Sequence, residues 1–452
     1  LPFKLTSCQD TVISEILKDM QSEKRMVRCV QGDVGSGKTL VAIAGMLHTV
    51  EGGRQAALLA PTEILASQHH EVIKKHLSKI RSVLYPIDSE DERNSKWPQV
   101  RLITGAVRGK SRDYMLEEIS SGKVDIVVGT HALLTEAVAD SIVKLGLVVI
   151  DEEQRFGVAQ RDALAGRTNT LYTTATPIPR SLMMLVQEGY SVSTLTEKPP
   201  AKRPIQTVLI GSSLTQKVMD RISANICHGT KVFWVTPCLE PSSTMPGSSV
   251  LERHAELSAA FPGKVSMLHG RMSSEDKNAT MSEFSQKNSD ISILVSTTVV
   301  EVGVDVPDAS ICVIDRAEHF GLSQVHQIRG RIGRGEKPEK EILDECYCVL
   351  LYNDASEEPV EKLKILSECN DGFKIAESDL KLRGPGDIFG LRQHGDAGYK
   401  VADLLSDTHL LLDAQRKASQ LLNTAWDRVE DSSHMGTKEL LDLFSGKGEN
   451  SS

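Results

Sequence analysis

Short apolar runs rich in Val, Ile and Leu alternate with longer amphipathic stretches along the chain. Parallel sheets with covering helices produce that rhythm, because a strand buried on both faces reads as a near-continuous apolar run. In the first half the pattern predicts strands over residues 26–30, 55–60, 100–104, 124–129, 145–150 and 170–174. The second half repeats it over residues 231–236, 265–269, 291–296, 310–314 and 346–351. Between the halves, residues 197–204 hold three prolines and read as a linker, since proline continues neither a ladder nor a helix. Beyond about residue 356 the strand signal stops and the pattern turns helical, with a Gly-rich interruption at 383–390. The expected fold class is α/β: two parallel-sheet domains in tandem, 1–200 and 201–356, then a small, mostly helical unit over 357–452. Residues 241–249 are expected to form a surface loop, and 447–452 a frayed end.

Composition narrows the picture. A chain of 452 residues implies about two to four domains. Forty per cent apolar and 25% charged residues supply enough side chain for several cores and argue against disorder. The net charge of -9 excludes a uniformly basic surface but not a local positive track for phosphates. The eight cysteines form no C-x-x-C pair and no zinc-site spacing with histidine, so reduced thiols are expected, with Cys346 and Cys348 alternating along a strand. No apolar run approaches the roughly 20 residues needed to span a bilayer. The chain opens at Leu1 without an initiator Met, and a preceding segment is expected.

The chemistry starts at Gly32-Asp33-Val34-Gly35-Ser36-Gly37-Lys38-Thr39, which fits G-x-x-x-x-G-K-[ST] between a strand candidate and a helix-forming stretch. Glycines let such a loop wrap closely enough for backbone N–H groups and the helix N-terminus to face phosphate oxygens. Lys38 is expected to reach the β and γ phosphates, and Thr39 to ligate Mg2+. A carboxylate pair should complete the site from another strand. Residues 145–150 run into Asp151-Glu152, with Asp151 expected to hold Mg2+ through water and Glu152 to deprotonate the attacking water. Taken alone, such a pair is a solvated turn; the upstream loop makes it a site. Positive charge for the developing γ-phosphate is offered by Arg331 and Arg334 in Gln327-Ile-Arg-Gly-Arg-Ile-Gly-Arg, a run that by itself also reads as a solvated basic turn. A second half with arginines but no phosphate loop suggests a site shared between two similar domains.

The ordered motifs, from Leu5-Thr6-Ser-Cys-Gln9 through GDVGSGKT, APTE, Gly129-Thr130-His131, DEEQ, Thr174-Ala-Thr176, Gly303-Val-Asp305 and QIRGRIGR, resemble superfamily 2 helicases. Longer strings, among them TATPIPR, TTVVEVGVDVP, AEHFGLSQVHQIRGRIGRG and DGFKIAESDLKLRGPGDIFGLRQHG, resemble the RecG family of branch-migration helicases over roughly residues 1–411. The resemblance implies two RecA-like P-loop domains and an ATP-driven translocase with ATP and Mg2+ as cofactors. It makes Gln9 the adenine reader, with Phe3 stacked nearby, and brings Gly303 and Asp305 to the ribose. Pro61, Thr62, Gly129, Thr130 and His131 would touch the DNA backbone, and Thr174 and Thr176 would relay hydrolysis. Gln327, Arg383, Arg392 and Gln393 would link ATP state to DNA movement, although the Gly-rich segment also reads as a plain C-terminal cap.

The implied partners are duplex and branched DNA, forks and Holliday junctions, with single-strand binding protein as a further one, no membrane, and a monomeric state. The implied setting is recombination and repair in a bacterial cytoplasm or an organelle. Two departures stand out. Leu366-Ser367-Glu368 replaces a family arginine before Asn370-Asp371-Gly372-Phe373, and Asp151-Glu152-Glu153-Gln154-Arg155-Phe156-Gly157-Val158 resembles instead the transcription-repair coupling factor. A coupling-factor-like translocase acting on stalled RNA polymerase is therefore the alternative, and a non-translocating nucleotide switch a third. The family's N-terminal wedge domain is not in this sequence.

Overall fold

The computed structural model of the chain describes residues 4–84, 97–105, 109–156, 168–175, 191–197, 203–241, 247–286, 289–298, 306, 308–335, 343–353, 358–383 and a few helical positions between 410 and 417. The described strands form two sheets, and every pairing within them is parallel. The first contains β1 (Val27–Gly32), β2 (Gln55–Leu59), β3 (Val100–Ile103), β4 (Ile126–Gly129), β5 (Leu145–Asp151), β6 (Asn169–Thr174) and β7 (Ser191–Leu195), in the order β3-β4-β2-β5-β6-β1-β7. The second contains β8 (Ile205–Gly211), β9 (Lys231–Val235), β10 (Val265–Leu268), β11 (Ile293–Ser296), β12 (Ala309–Ile314) and β13 (Cys346–Tyr352), in the order β10-β11-β9-β12-β13-β8.

The helices α1 (Ser7–Met20), α2 (Lys38–Glu51), α3 (Glu63–Leu84), α4 (Lys110–Ser120) and α5 (Glu136–Ser141) accompany the first sheet. α6 (Thr215–Ile226), α7 (Val250–Ala260), α8 (Ser274–Ser285) and α9 (Leu322–Arg329) accompany the second, and α10 (Glu358–Glu368) and α11 (Gly372–Arg383) follow. Each predicted strand is present, with ends shifted by one or two residues. The pattern missed two, β7 and β8, which border the proline-rich stretch. Both are edge strands, so each is paired on one side only and neither shows the continuous apolar run of a central strand.

Alternation along the central strands divides each core into two faces. Phe233 and Val235 of β9 point into one layer with Leu294, Cys312, Ile314 and Leu350, whereas Val232 and Trp234 point into the other with Val218, Ile222 and Leu257. In the first sheet Val30, Leu58, Val128, Val149 and Leu171 pack under Ile16 of α1 and Val41 and Met46 of α2. Fully burying one such aliphatic side chain stabilises by about 1.5–3 kcal/mol, so these layers hold the sheets rigid beneath the loops.

Leu363 and Leu366 of α10 and Ile375 of α11 are 0% exposed within the core of the second sheet. The α10–α11 hairpin, part of the stretch expected to form the third unit, packs on the second sheet. The first compact unit comprises Leu1–Pro179 and Gly189–Leu382. The second, Arg180–Glu188 with Arg383–Ser452, lies almost wholly outside the described residues. All eight cysteines are free thiols, and Cys346 and Cys348 alternate on β13 as expected. No described helix is long and apolar enough to cross a membrane.

Candidate active site

Strand register brings the first half of the site together. β1, β6 and β5 are neighbours, with Gln31 opposite Thr174 and Asp151 opposite Thr173, so the phosphate loop, the threonines and the acidic pair leave the sheet side by side. All lie at the carboxyl ends of the strands, where α/β sheets bind ligands. Gly35 and Gly37 have φ of 80° and 88°, a left-handed backbone that lets the loop turn straight into α2. A Cβ at Gly32 would stand 2.5 Å from Ser36 Oγ and 2.9 Å from Leu195 Cβ, so the loop closes only around a glycine there.

Lys38 Nζ donates to the loop's own carbonyls, Gly32 O at 2.7 Å and Asp33 O at 3.0 Å. Ser36 Oγ is buried without a partner. A cradle of glycines, a lysine folded onto its loop and an orphaned hydroxyl fits a phosphate chain. Gln9 closes a capping box with Thr6 at the start of α1 and donates Nε2 to Ser36 O at 2.8 Å. The expected adenine reader is thus tied to the phosphate loop, with both ends of its amide engaged.

The acidic pair is split by its surroundings. Asp151 shares a 2.7 Å hydrogen bond with His69 Nε2 of α3 and accepts another from Thr173 Oγ1. Burial opposes its ionisation, but those bonds and the charges of His69 and Lys38 outweigh it and hold the carboxyl down at about 2. Glu152 goes the other way. Burial and the neighbouring Asp151 charge raise its pKa, against the weaker pull of Lys38, Gln154 and Arg331. Two adjacent carboxylates pushed apart in this way suit different tasks, one as a permanently charged cation ligand and one as a base.

Glu152 also has φ 53° and ψ 53°, a left-handed conformation that costs an L-residue about 1–2 kcal/mol. Gln154 Nε2 donates to Glu152 Oε2 at 2.5 Å, and Thr174 Oγ1 donates to Gln154 Oε1 at 3.1 Å, which joins the end of β6 to the acidic pair. Burial also pulls the Lys38 ammonium pKa down, countered by Glu152, Asp151 and Asp33 and reinforced by the charge of Arg334.

The arginine-bearing segment faces this loop. Gly330, which closes α9, lies so close to Val34 that an added Cβ would stand 2.6 Å from Val34 Cγ1. His326 Nε2 is 2.5 Å from Asp33 Oδ1. Arg331 is near enough for its charge to act on Glu152, and Arg334, whose Nε donates to Gly330 O at 2.7 Å, acts on Lys38. Gln327 is 4% exposed, with Nε2 unpartnered.

Other predicted residues sit apart from this cluster. Thr62 Oγ1 accepts from Leu65 N at 3.2 Å at the start of α3, next to half-buried Pro61. Gly129 and Thr130 are buried at the end of β4, while His131 is exposed. Phe3, Thr176, Gly303, Asp305, Arg392, Gln393 and the side chain of Arg383 lie outside the described residues. Sequence reasoning assigned nothing to His69 or His326. A histidine in APTEILASQHH or in SQVHQIRG carries no spacing signal, and only the fold brings each to an aspartate.

A phosphate loop on one parallel sheet, faced by an arginine helix from a second, defines a two-domain P-loop helicase core. Residues 6–185 match the DEAD/DEAH box helicase family, 243–336 the helicase conserved C-terminal domain, and 369–443 the C-terminal part of domain 3 of the ATP-dependent DNA helicase RecG. The chain belongs to the RecG family. It is 42% identical over 416 residues to the ATP-dependent DNA helicase RecG of Thermotoga maritima, covering 91% of this chain and 50% of that protein. It is 41% identical over 431 residues to that of Escherichia coli K12, covering 93% of this chain and 58% of that protein. A solved structure of RecG bound to a three-way DNA junction matches with TM-score 0.68 and 39% identity, over 91% of this chain and 51% of that one. The chain therefore spans only about half to three-fifths of these relatives' length.

Proposed function

We propose that this chain is the motor of an ATP-dependent DNA helicase that translocates on duplex DNA and remodels branched DNA, regressing forks and migrating junctions. One observation carries the reading: the phosphate loop and the arginine helix of the opposite domain meet in a buried patch, His326 to Asp33 and Gly330 against Val34. A site completed by two domains converts hydrolysis into domain movement, because closure is favoured only while the nucleotide is there to be shared. The branched substrate is supported by family membership and by the junction-bound relative.

Each residue then has a task. The loop amides and Lys38 hold the β and γ phosphates, Glu152 takes the proton of the attacking water, and Arg331 and Arg334 neutralise charge on the γ-phosphate. Thr39 and Asp151 would hold Mg2+, which would supply positive charge against the phosphates. The Thr174–Gln154–Glu152 chain supports the expected relay of hydrolysis from the acidic pair to the end of β6. ATP hydrolysis by the intact protein, measured without DNA, with linear duplex and with a synthetic fork, tests the reading. The expected result is strong stimulation, greatest with the fork; turnover indifferent to DNA would overturn it.

A further inference from the structure

Asp33 is the one acidic residue of the phosphate loop, and phosphate chemistry has no use for it, since a carboxylate beside a triphosphate repels it. It is 3% exposed and collects donors instead: Val34 N at 2.6 Å and His326 Nε2 at 2.5 Å on Oδ1, and Gly372 N at 3.0 Å on Oδ2. The His326 and Gly372 donors come from the other half of the chain. Gly372 is required at its position, because an added Cβ would lie 2.6 Å from Asp33 Cγ.

The far side of His326 continues the connection. Its Nδ1 is 2.7 Å from Nη2 of Arg329. A guanidinium has no acceptor, so Nδ1 accepts and the ring proton sits on Nε2, aimed at Asp33. Arg329 Nη1 donates to Leu366 O at 2.7 Å and to Cys369 O at 3.2 Å, at the end of α10 and in the turn to α11. At the opposite end of α9, Asp379 of α11 accepts from Leu322 N and Ser323 N, both at 3.2 Å, a cap supplied to one helix by another. α9 is clamped to the α10–α11 hairpin at both ends, and that clamped assembly touches the phosphate loop at Asp33.

We propose that His326 is a positioning residue that couples the phosphate loop to the α10–α11 hairpin through Asp33 on one side and Arg329 on the other. The proposal rests on the DNA-motor reading above. Its driving force is a difference between two states. The Val34 amide donates to the Asp33 carboxylate. Phosphate oxygens claim loop amides, which leaves that carboxylate more dependent on His326 and Gly372 and draws α9 and the hairpin onto the loop. Release of phosphate reverses the bias.

The test compares His326→Ala, His326→Gln and His326→Asn in the intact protein. The Gln amide reaches the position of Nε2, and the Asn oxygen that of Nδ1. With His326→Ala, DNA-free ATP hydrolysis should fall much less than the DNA-stimulated rate. DNA-stimulated hydrolysis and fork unwinding should fall together by about 5- to 150-fold, the usual range for a coupling interaction. His326→Gln should recover part of the loss, and His326→Asn less. Full DNA stimulation in His326→Ala, or basal and stimulated rates falling in equal proportion, would overturn the proposal. If His326→Ala does not fold, Asp379→Ala, which frees α9 from the hairpin at its other end, must show the same selective loss or the proposal fails. A wild-type protein with no DNA stimulation would instead remove the motor reading itself.

Discussion

Replacing Gly330 by alanine isolates the contact between the two domains. Gly330 has φ -68° and ψ 1°, which alanine adopts without strain. On backbone grounds alone the substitution would stabilise by about 0.4–1 kcal/mol, by restricting the unfolded chain. Space decides otherwise. The new Cβ would lie 2.6 Å from Val34 Cγ1 and 2.8 Å from Val34 Cβ, whereas carbon atoms rest at about 3.5–4.0 Å. Helix and loop must part by about 1 Å, and overpacking of that kind costs typically about 1–3 kcal/mol.

Each sheet keeps its own core, so the domains can separate and the cost falls on closure rather than on folding. ATP turnover at saturating DNA should drop by about 5- to 150-fold while the thermal midpoint stays near wild type. Steady-state hydrolysis and a thermal melt on the same preparation check both halves of this statement. Wild-type turnover would show that α9 and the phosphate loop do not meet in the working state. A lowered melting point with unchanged turnover would make the contact a folding element and refute the reasoning as well.

Lys38→Ala should abolish hydrolysis at any ATP concentration, and normal turnover in that variant would refute the phosphate-loop assignment. Glu152→Gln should retain nucleotide binding but lose roughly 10²- to 10⁴-fold in turnover. Because burial and Asp151 raise the Glu152 pKa, the folded state prefers it protonated; its contribution is favourable in acid and is lost as pH rises through the folded value. The Gln variant should therefore melt above wild type at neutral pH, and the difference should close below about pH 4. Equal melting points at pH 8 would contradict that. Arg334→Ala should lower turnover more than ATP affinity, measured by single-turnover hydrolysis and nucleotide titration; an unchanged rate would remove it as the arginine that stabilises the γ-phosphate.

How much was legible before the fold depended on the range of the interaction. The strands were visible wherever both faces are buried, as in β5 or β12, and invisible at β7 and β8, where an edge position relaxes the demand for apolar side chains. The phosphate loop was legible because its requirements are local: glycines for the turn and a lysine six residues on. The acidic pair was found by its place after a strand. Its division into an Asp151 carboxyl held low and a Glu152 carboxyl pushed up was not, because that depends on burial and on His69 and Thr173.

By itself the sequence determined the two parallel sheets, the glycine-lined loop between β1 and α2 and the family, since short-range periodicity and contiguous motifs carry that information. Tertiary structure alone decided where Asp33, His326, Gly330 and Gly372 meet. Asp33 and Gly372 are hundreds of residues apart, and nothing in either one's local pattern demands the other. Only packing of the α10–α11 hairpin and α9 onto the second sheet, and of that assembly against the loop of the first, puts a carboxylate, an imidazole and a backbone amide within hydrogen-bonding distance. Such contacts follow from where two rigid bodies meet, and in the sequence they appear as one more aspartate, histidine or glycine.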